Sequence, residues 1–293
     1  MRASTRWHAR LAGRYAPRHF HRGVVHLRNC STEYIVVGRG EPIVLIPGLA
    51  GGYELAGRLI RVLSRHHQVI SYQLRGEHNP HYVRQPHGLR ELAEDLADLQ
   101  SALLLERPTL LGISFGSAVA LEFALRYGQR IGSLILNGME ASSHETLGRR
   151  IAKLALEQFP LPIDNPFFNQ FFRLLFARSE PVGRLLDYVT EQCWSTDQSV
   201  MAHRLALLAE LDARERLPDL SLPTLVIGGQ EDVIVTEQRQ RDLASRIPNS
   251  RFVSLTGAGH LCFLTRPKAF TRAVVDFLQT QHMATTQSGP AFA

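Results

Sequence analysis

Cysteine is scarce in this chain, lysine is nearly absent, and long apolar runs are missing. The three cysteines, Cys30, Cys193 and Cys262, are odd in number and far apart. That argues against a disulfide framework and for a reducing compartment, with a cytoplasmic location as the expectation. No stretch approaches the ~20 apolar residues of a membrane helix. The N-terminus also lacks the apolar core of a secretory signal. Of the 33 basic residues only Lys153 and Lys268 are lysine, a bias that codon usage by itself can produce. His66, His67, His78, His81 and His87 lack metal-ligand spacing with any Cys or carboxylate. They read as solvated loop histidines, and no metal site is expected. No internal repeat stands out.

What remains is an ordinary globular composition, 44% hydrophobic and 20% charged over 293 residues. That is enough chain for one α/β domain with an insertion. The formal net charge of +6 is local in origin. Residues 1–28 hold Arg2, Arg6, Arg10, Arg14, Arg18, Arg22 and Arg28 and no acid, and the rest is close to neutral. This basic extension reads as a solvated arm, with organellar targeting or contact with nucleic acid or anionic lipid as the alternatives. The near-neutral core implies no nucleic-acid partner. Oligomeric state is not legible.

Strand and helix signals alternate along the chain. Short strands are expected at Val24 to Leu27, Tyr34 to Val37, Ile43 to Ile46, Gln68 to Tyr72 and Ile131 to Leu136. Helices are expected over Glu54 to Ser64, along Leu89, Leu92, Leu96, Leu99 and Leu103, and along Phe270, Ala273, Val274, Phe277 and Leu278. Such alternation predicts a doubly wound, mostly parallel sheet with helices on both faces. Functional groups then gather at the carboxyl ends of the strands. Between Ala141 and Leu217 the alternation stops and the pattern becomes helical. The polar, small-residue end from Thr285 to Ala293 reads as disordered.

Three local motifs stand at predicted strand ends. Thr109-Leu110-Leu111 leads into Gly112-Ile113-Ser114-Phe115-Gly116, and the small-residue helix start Gly116-Ser117-Ala118-Val119-Ala120 follows. This is the setting of a nucleophile elbow, a strained turn that needs glycine on both sides of the serine. Thr224 to Ile227 breaks at Gly228-Gly229 and ends in Glu231-Asp232. Arg251 to Leu255 breaks at Gly257 and ends in His260. With the order Ser, Asp, His, the chain resembles the α/β-hydrolase superfamily from roughly residue 24 to residue 280.

The chemistry of these residue types fits that order. A serine hydroxyl needs a base to take its proton as it attacks, and His260 is the candidate. Asp232 would orient and stabilise the imidazole; Glu140 is an alternative acid, since some relatives place it after the sixth strand. The resemblance implies oxyanion-hole donors at the backbone N–H groups of Phe115 and Leu49. Pro47-Gly48 stands where many relatives carry His-Gly. Gln73-Leu74-Arg75-Gly76-Glu77 keeps only Arg-Gly of a longer family motif, a change expected to bear on substrate choice. Cys262 reads as a small buried residue.

The resemblance further implies an α/β-hydrolase core over residues 29–140 and 218–280. A helical cap, residues 141–217, is inserted after the sixth core strand, and residues 281–293 form a flexible tail. Phe168, Phe171, Phe172 and Trp194, with Tyr188, are candidate linings of an apolar pocket under the cap. The expected activity is hydrolysis of a carboxylic ester, lactone or thioester with an apolar part through an acyl-enzyme. Neither cofactor nor metal is required. Carbon–carbon bond hydrolysis, acyl transfer on the same residues, and a ligand-binding receptor with slow turnover stay open.

Overall fold

A computed structural model describes residues 20–77, 87–143, 147–158, 165–180 and 183–287. The strands are β1 (Phe20–His26), β2 (Ser31–Val37), β3 (Pro42–Ile46), β4 (Gln68–Tyr72), β5 (Thr109–Ile113), β6 (Ser133–Asn137), β7 (Thr224–Gly229) and β8 (Ser250–Leu255). They form an eight-stranded sheet in the order β1-β2-β4-β3-β5-β6-β7-β8. β1 pairs antiparallel with β2, and β2 with β4. Every other pairing is parallel. The central strands β5, β6 and β7 are buried throughout, as strands covered by helices on both faces must be.

Alternation along these strands divides the core in two. Leu45, Leu111, Ile135 and Leu225 point to one layer. Val44, Leu110, Leu134 and Val226 point to the other. The helices that cover the sheet are α1 (Gly52–Leu55), α2 (Gly57–Leu63), α3 (Leu89–Ala102) and α4 (Phe115–Tyr127), followed after the insertion by α9 (Glu237–Arg246), α10 (Cys262–Thr265) and α11 (Pro267–Gln287). The single helix expected over Glu54 to Ser64 is thus two short ones, joined at Ala56.

Between β6 and β7 the described residues hold α5 (Leu147–Gln158), α6 (Pro166–Leu174), α7 (Gly183–Cys193) and α8 (Gln198–Ala209). The chain leaves and re-enters the core at a narrow neck. Ser142 bridges Asp212, and Ala213 N–H donates to the Ala141 carbonyl at 2.9 Å.

Two expected boundaries move. The sheet begins at Phe20, so residues 20–26 belong to the core sheet and not to the basic extension. Arg22, opposite Ile35 in the β1–β2 ladder, reaches diagonally to Glu33 and is ion-paired to it, so an arginine that read as tail charge serves a cross-strand pair. At the other end α11 runs to Gln287, through residues expected to be flexible. Nothing before Gly289-Pro290 breaks a helix, and polar composition does not prevent one. Residues 1–19 and 288–293 lie outside the described residues.

Candidate active site

β5 ends at Ile113 and α4 starts at Phe115, which leaves Ser114 alone to turn the chain. It does so at φ 51° and ψ −114°, in the region that side chains other than glycine rarely adopt. The flanking glycines are required by space. A Cβ on Gly112 would strike Ser117, and one on Gly116 would strike the carbonyls of Ile46 and Pro47. The turn is latched by Asn137 at the end of β6. Its carbonyl accepts from Ser114 N–H at 2.8 Å and from the Ser117 hydroxyl at 3.0 Å. The same hydroxyl contacts the Gly112 carbonyl at 2.8 Å and accepts from Asn137 N–H at 3.0 Å.

Asp232 follows β7 and His260 follows β8, and parallel pairing of those strands brings both to the same end of the sheet as Ser114. His260 Nδ1 lies 2.8 Å from Asp232 Oδ2, and His260 Nε2 lies 2.8 Å from Ser114 Oγ. The carboxylate only accepts, so Nδ1 carries the hydrogen and Nε2 faces the hydroxyl as an acceptor. Asp232 is fixed from behind. Its Oδ1 accepts from the N–H groups of Ile234 and Val235 at 2.8 and 2.9 Å, and Gln240 approaches Oδ2 at 3.3 Å.

The competing carboxylates engage Arg239 and Ser179, although Glu140 lines the same cavity as Ser114 and His260. Glu140 is buried and accepts from Arg239 Nη1 at 3.0 Å. Glu231 approaches Ser179 at 3.4 Å. Cys262 is fully buried and accepts from Asn137 Nδ2 at 3.1 Å. Burial pushes its thiol up to about 12, far from a thiolate nucleophile.

Ser114, His260 and Leu49 open onto a cavity of about 630 Å³ whose walls are mainly apolar. Phe171 and Phe172 of α6 and Met201, Leu205 and Leu208 of α8 contribute to its lining, so the insertion forms its roof. Phe115 begins α4, where a helix leaves its first N–H groups without an intrahelical acceptor. Trp194 is not in the lining. It packs edge-on against Phe172 with centroids 6.0 Å apart, one layer behind the wall. Tyr188 is also absent from the lining and donates its hydroxyl to the Glu54 carbonyl at 2.8 Å. The side chain of Phe168 lies outside the described residues, as do His78 and His81.

The loop after β4 departs from its expected role. Arg75 makes a buried two-point contact with Asp95, at 2.9 and 2.6 Å. Glu77 is ion-paired with Arg204 at 2.9 Å. Neither residue lines the cavity, so the altered motif secures the loop. His87, expected in solvent, is buried with its ring 4.4 Å from that of His203. Arg204, Thr196 and Ser117 were not singled out as site residues. The signal available for Arg204 was a guanidinium beside His203 in an otherwise apolar helical stretch, Met201-Ala202-His203-Arg204-Leu205.

Residues 41–267 match the sequence model of a family described as alpha/beta hydrolase fold. The pimeloyl-[acyl-carrier protein] methyl ester esterase of Aeromonas hydrophila subsp. hydrophila is 29% identical over 252 residues, covering 82% of this chain and 96% of the relative. A polyketide synthase of Burkholderia thailandensis, ThaQ, is 29% identical over 278 residues. That match covers 88% of this chain but only 13% of the synthase. Among solved structures, a thermophilic esterase from Thermogutta terrifontis with malate bound aligns with a TM-score of 0.76 at 26% identity. It covers 89% of this chain and 99% of the esterase.

Proposed function

The chain belongs to the alpha/beta hydrolase fold family and is an enzyme of that kind, and from that premise we propose that it is a serine hydrolase. In this reading it cleaves a carboxylic ester, lactone or thioester with an apolar part, through an acyl-enzyme on Ser114. The observation that carries the reading is the relay from Asp232 to His260 to Ser114, 2.8 Å at each step, opening onto an apolar cavity.

Each residue then has one task. Nε2 of His260 takes the hydroxyl proton as Ser114 Oγ attacks the acyl carbon. Asp232 holds the imidazole in that tautomer and stabilises the imidazolium. The carbonyl oxygen, now an oxyanion, receives hydrogen bonds from the backbone N–H groups of Phe115 and Leu49. Collapse breaks the bond to the alcohol or thiol, and His260 returns the proton to the leaving group. A water deprotonated by the same imidazole repeats the sequence and frees the acid. The insertion acts as the cap, and Phe171 and Phe172 give the apolar part of the substrate its surface. The relatives named as esterases support an ester as the substrate class.

The test is labelling by a fluorophosphonate probe, on the wild type and on Ser114→Ala, with short and long p-nitrophenyl esters assayed alongside. Loss of labelling and turnover together in the variant is the expected result. A well-folded wild type that neither labels nor turns over an ester would leave a binding protein in place of a hydrolase.

A further inference from the structure

Arg204 sits on α8, inside the insertion, with a side chain only 3% exposed. Its guanidinium serves several partners at once. Nη1 donates to the Leu49 carbonyl at 2.7 Å, and Nη2 reaches the Arg75 carbonyl at 3.3 Å and the Glu77 carboxylate at 2.9 Å. The same group lies 5.7 Å from the centroid of the Phe115 ring. Leu49 and Phe115 are the two residues whose amides face the oxyanion in the reading above, on which this inference rests. Arg204 itself does not line the cavity.

A second residue of the insertion closes the arrangement. Thr196 donates its hydroxyl to Glu77 Oε1 at 2.9 Å, and Thr196 Oγ1 accepts from Gly51 N–H at 2.8 Å. The loop from Leu49 to Gly51 is therefore held at both ends by the insertion, with Glu77 as the common anchor. The Arg204 bond fixes the peptide that follows Leu49, and the Thr196 bond fixes the peptide before Gly51. The two restraints bracket Ala50 and anchor Leu49 from its carbonyl side, which limits the swing of the Gly48–Leu49 peptide that carries the Leu49 N–H. Only a planar fork with five donors and a delocalised charge can meet two carbonyls, a carboxylate and an aromatic face together.

The geometry points to Arg204 as a positioning residue for the oxyanion donors, with Thr196 and Glu77 as its supports. The insertion then does more than roof the cavity: its seating sets the alignment of Leu49 and Phe115. A network that merely glued the insertion to the core would affect stability and substrate binding without touching transition-state charge.

The two roles separate in a comparison of a p-nitrophenyl ester with its thiono analogue, in which sulfur replaces the carbonyl oxygen. Sulfur is a weak hydrogen-bond acceptor, so the preference for the oxygen ester reports on the oxyanion donors. In the full chain, Arg204→Lys keeps a charge for Glu77 but loses the fork, and Thr196→Val removes the Gly51 acceptor. For both variants kcat on the oxygen ester falls about ten- to hundredfold, the size expected for displaced donors. KM changes by no more than about threefold, and the oxygen-to-thiono ratio of kcat/KM drops by at least about tenfold. An unchanged ratio, with both esters slowed equally or not at all, overturns the inference. Should Arg204→Lys fail to melt cooperatively, Thr196→Val and the charge-free pair Glu77→Gln with Arg204→Met decide by the same ratio. A wild type that turns over neither ester overturns the reading of the site and this inference with it. An active wild type with unchanged ratios in the variants overturns this inference alone.

Discussion

Leu261 donates its backbone N–H to the carbonyl of Leu175 at 3.1 Å, which ties the insertion to the residue next to His260. Arg204 ties the opposite side of the insertion to Leu49. The apolar cavity lies between two fastenings, one on the side of His260 and one on the side of the proposed oxyanion donors. Ile151, Leu174 and Val233 line it while remaining 44%, 50% and 52% exposed, which marks the mouth.

Asp232→Asn keeps an acceptor for the N–H groups of Ile234 and Val235, so the turn survives. Its amide nitrogen, however, faces His260 Nδ1 and drives the hydrogen to Nε2, where the serine needs an acceptor. The expected loss in kcat is about 10⁴-fold with a nearly unchanged melting temperature. Glu140→Gln should cost far less. Steady-state kinetics on one ester ranks the two, and the reverse order would transfer the role to Glu140.

Ser117→Ala removes a buried hydroxyl that accepts from Asn137 N–H at 3.0 Å and contacts the Gly112 carbonyl at 2.8 Å. Each such hydrogen bond contributes about 0.5–1.5 kcal/mol. Denaturant unfolding should show that loss, since the latch holds β5, β6 and the start of α4 together.

Phe171 is only partly buried and lines the cavity. Phe171→Ala enlarges the space at small cost to folding. The ratio of kcat/KM for long over short p-nitrophenyl esters should rise about tenfold, as one to a few methylenes of extra contact allow. A falling ratio would place the acyl chain away from α6.

His203 supplies a pH dependence. Burial holds its pKa below the ordinary histidine value; nearby Arg204 pushes the same way, while the His87 carbonyl opposes. As pH falls below about 6.5 the unfolded chain takes up this proton before the folded one. Folding stability present at neutral pH is therefore lost as the solution becomes acidic. Between pH 7 and pH 5 the melting temperature of the wild type should fall more steeply than that of His203→Gln. Equal slopes would remove His203 from this role.

Local signals made much of this legible. Each strand that ends at the site is an apolar run broken by glycine, and Ser114, Asp232 and His260 stand just beyond those breaks. Periodicity found α3 and α11 for the same reason: the pattern lies within one element. The Arg204, Glu77 and Thr196 cluster had no such signature, because its members come from separate segments that only the folded insertion brings together. Trp194 read as pocket wall because an aromatic at a helix end looks alike from in front of or behind the wall. The start of β1 was hidden by charge, as Arg22 looks like tail until its diagonal ion pair with Glu33 on β2 is seen.

The backbone at Ser114 carries a consequence of another kind. A non-glycine residue held at φ 51° costs of order 1–3 kcal/mol, and glycine would relieve it. Random substitution filtered by folding alone would therefore drift away from serine at this position. For the same reason, variants chosen only for heat resistance would tend to be the ones that have given up the proposed nucleophile. In the proposed reading, the strain at Ser114 is the stability given up to hold the hydroxyl toward His260.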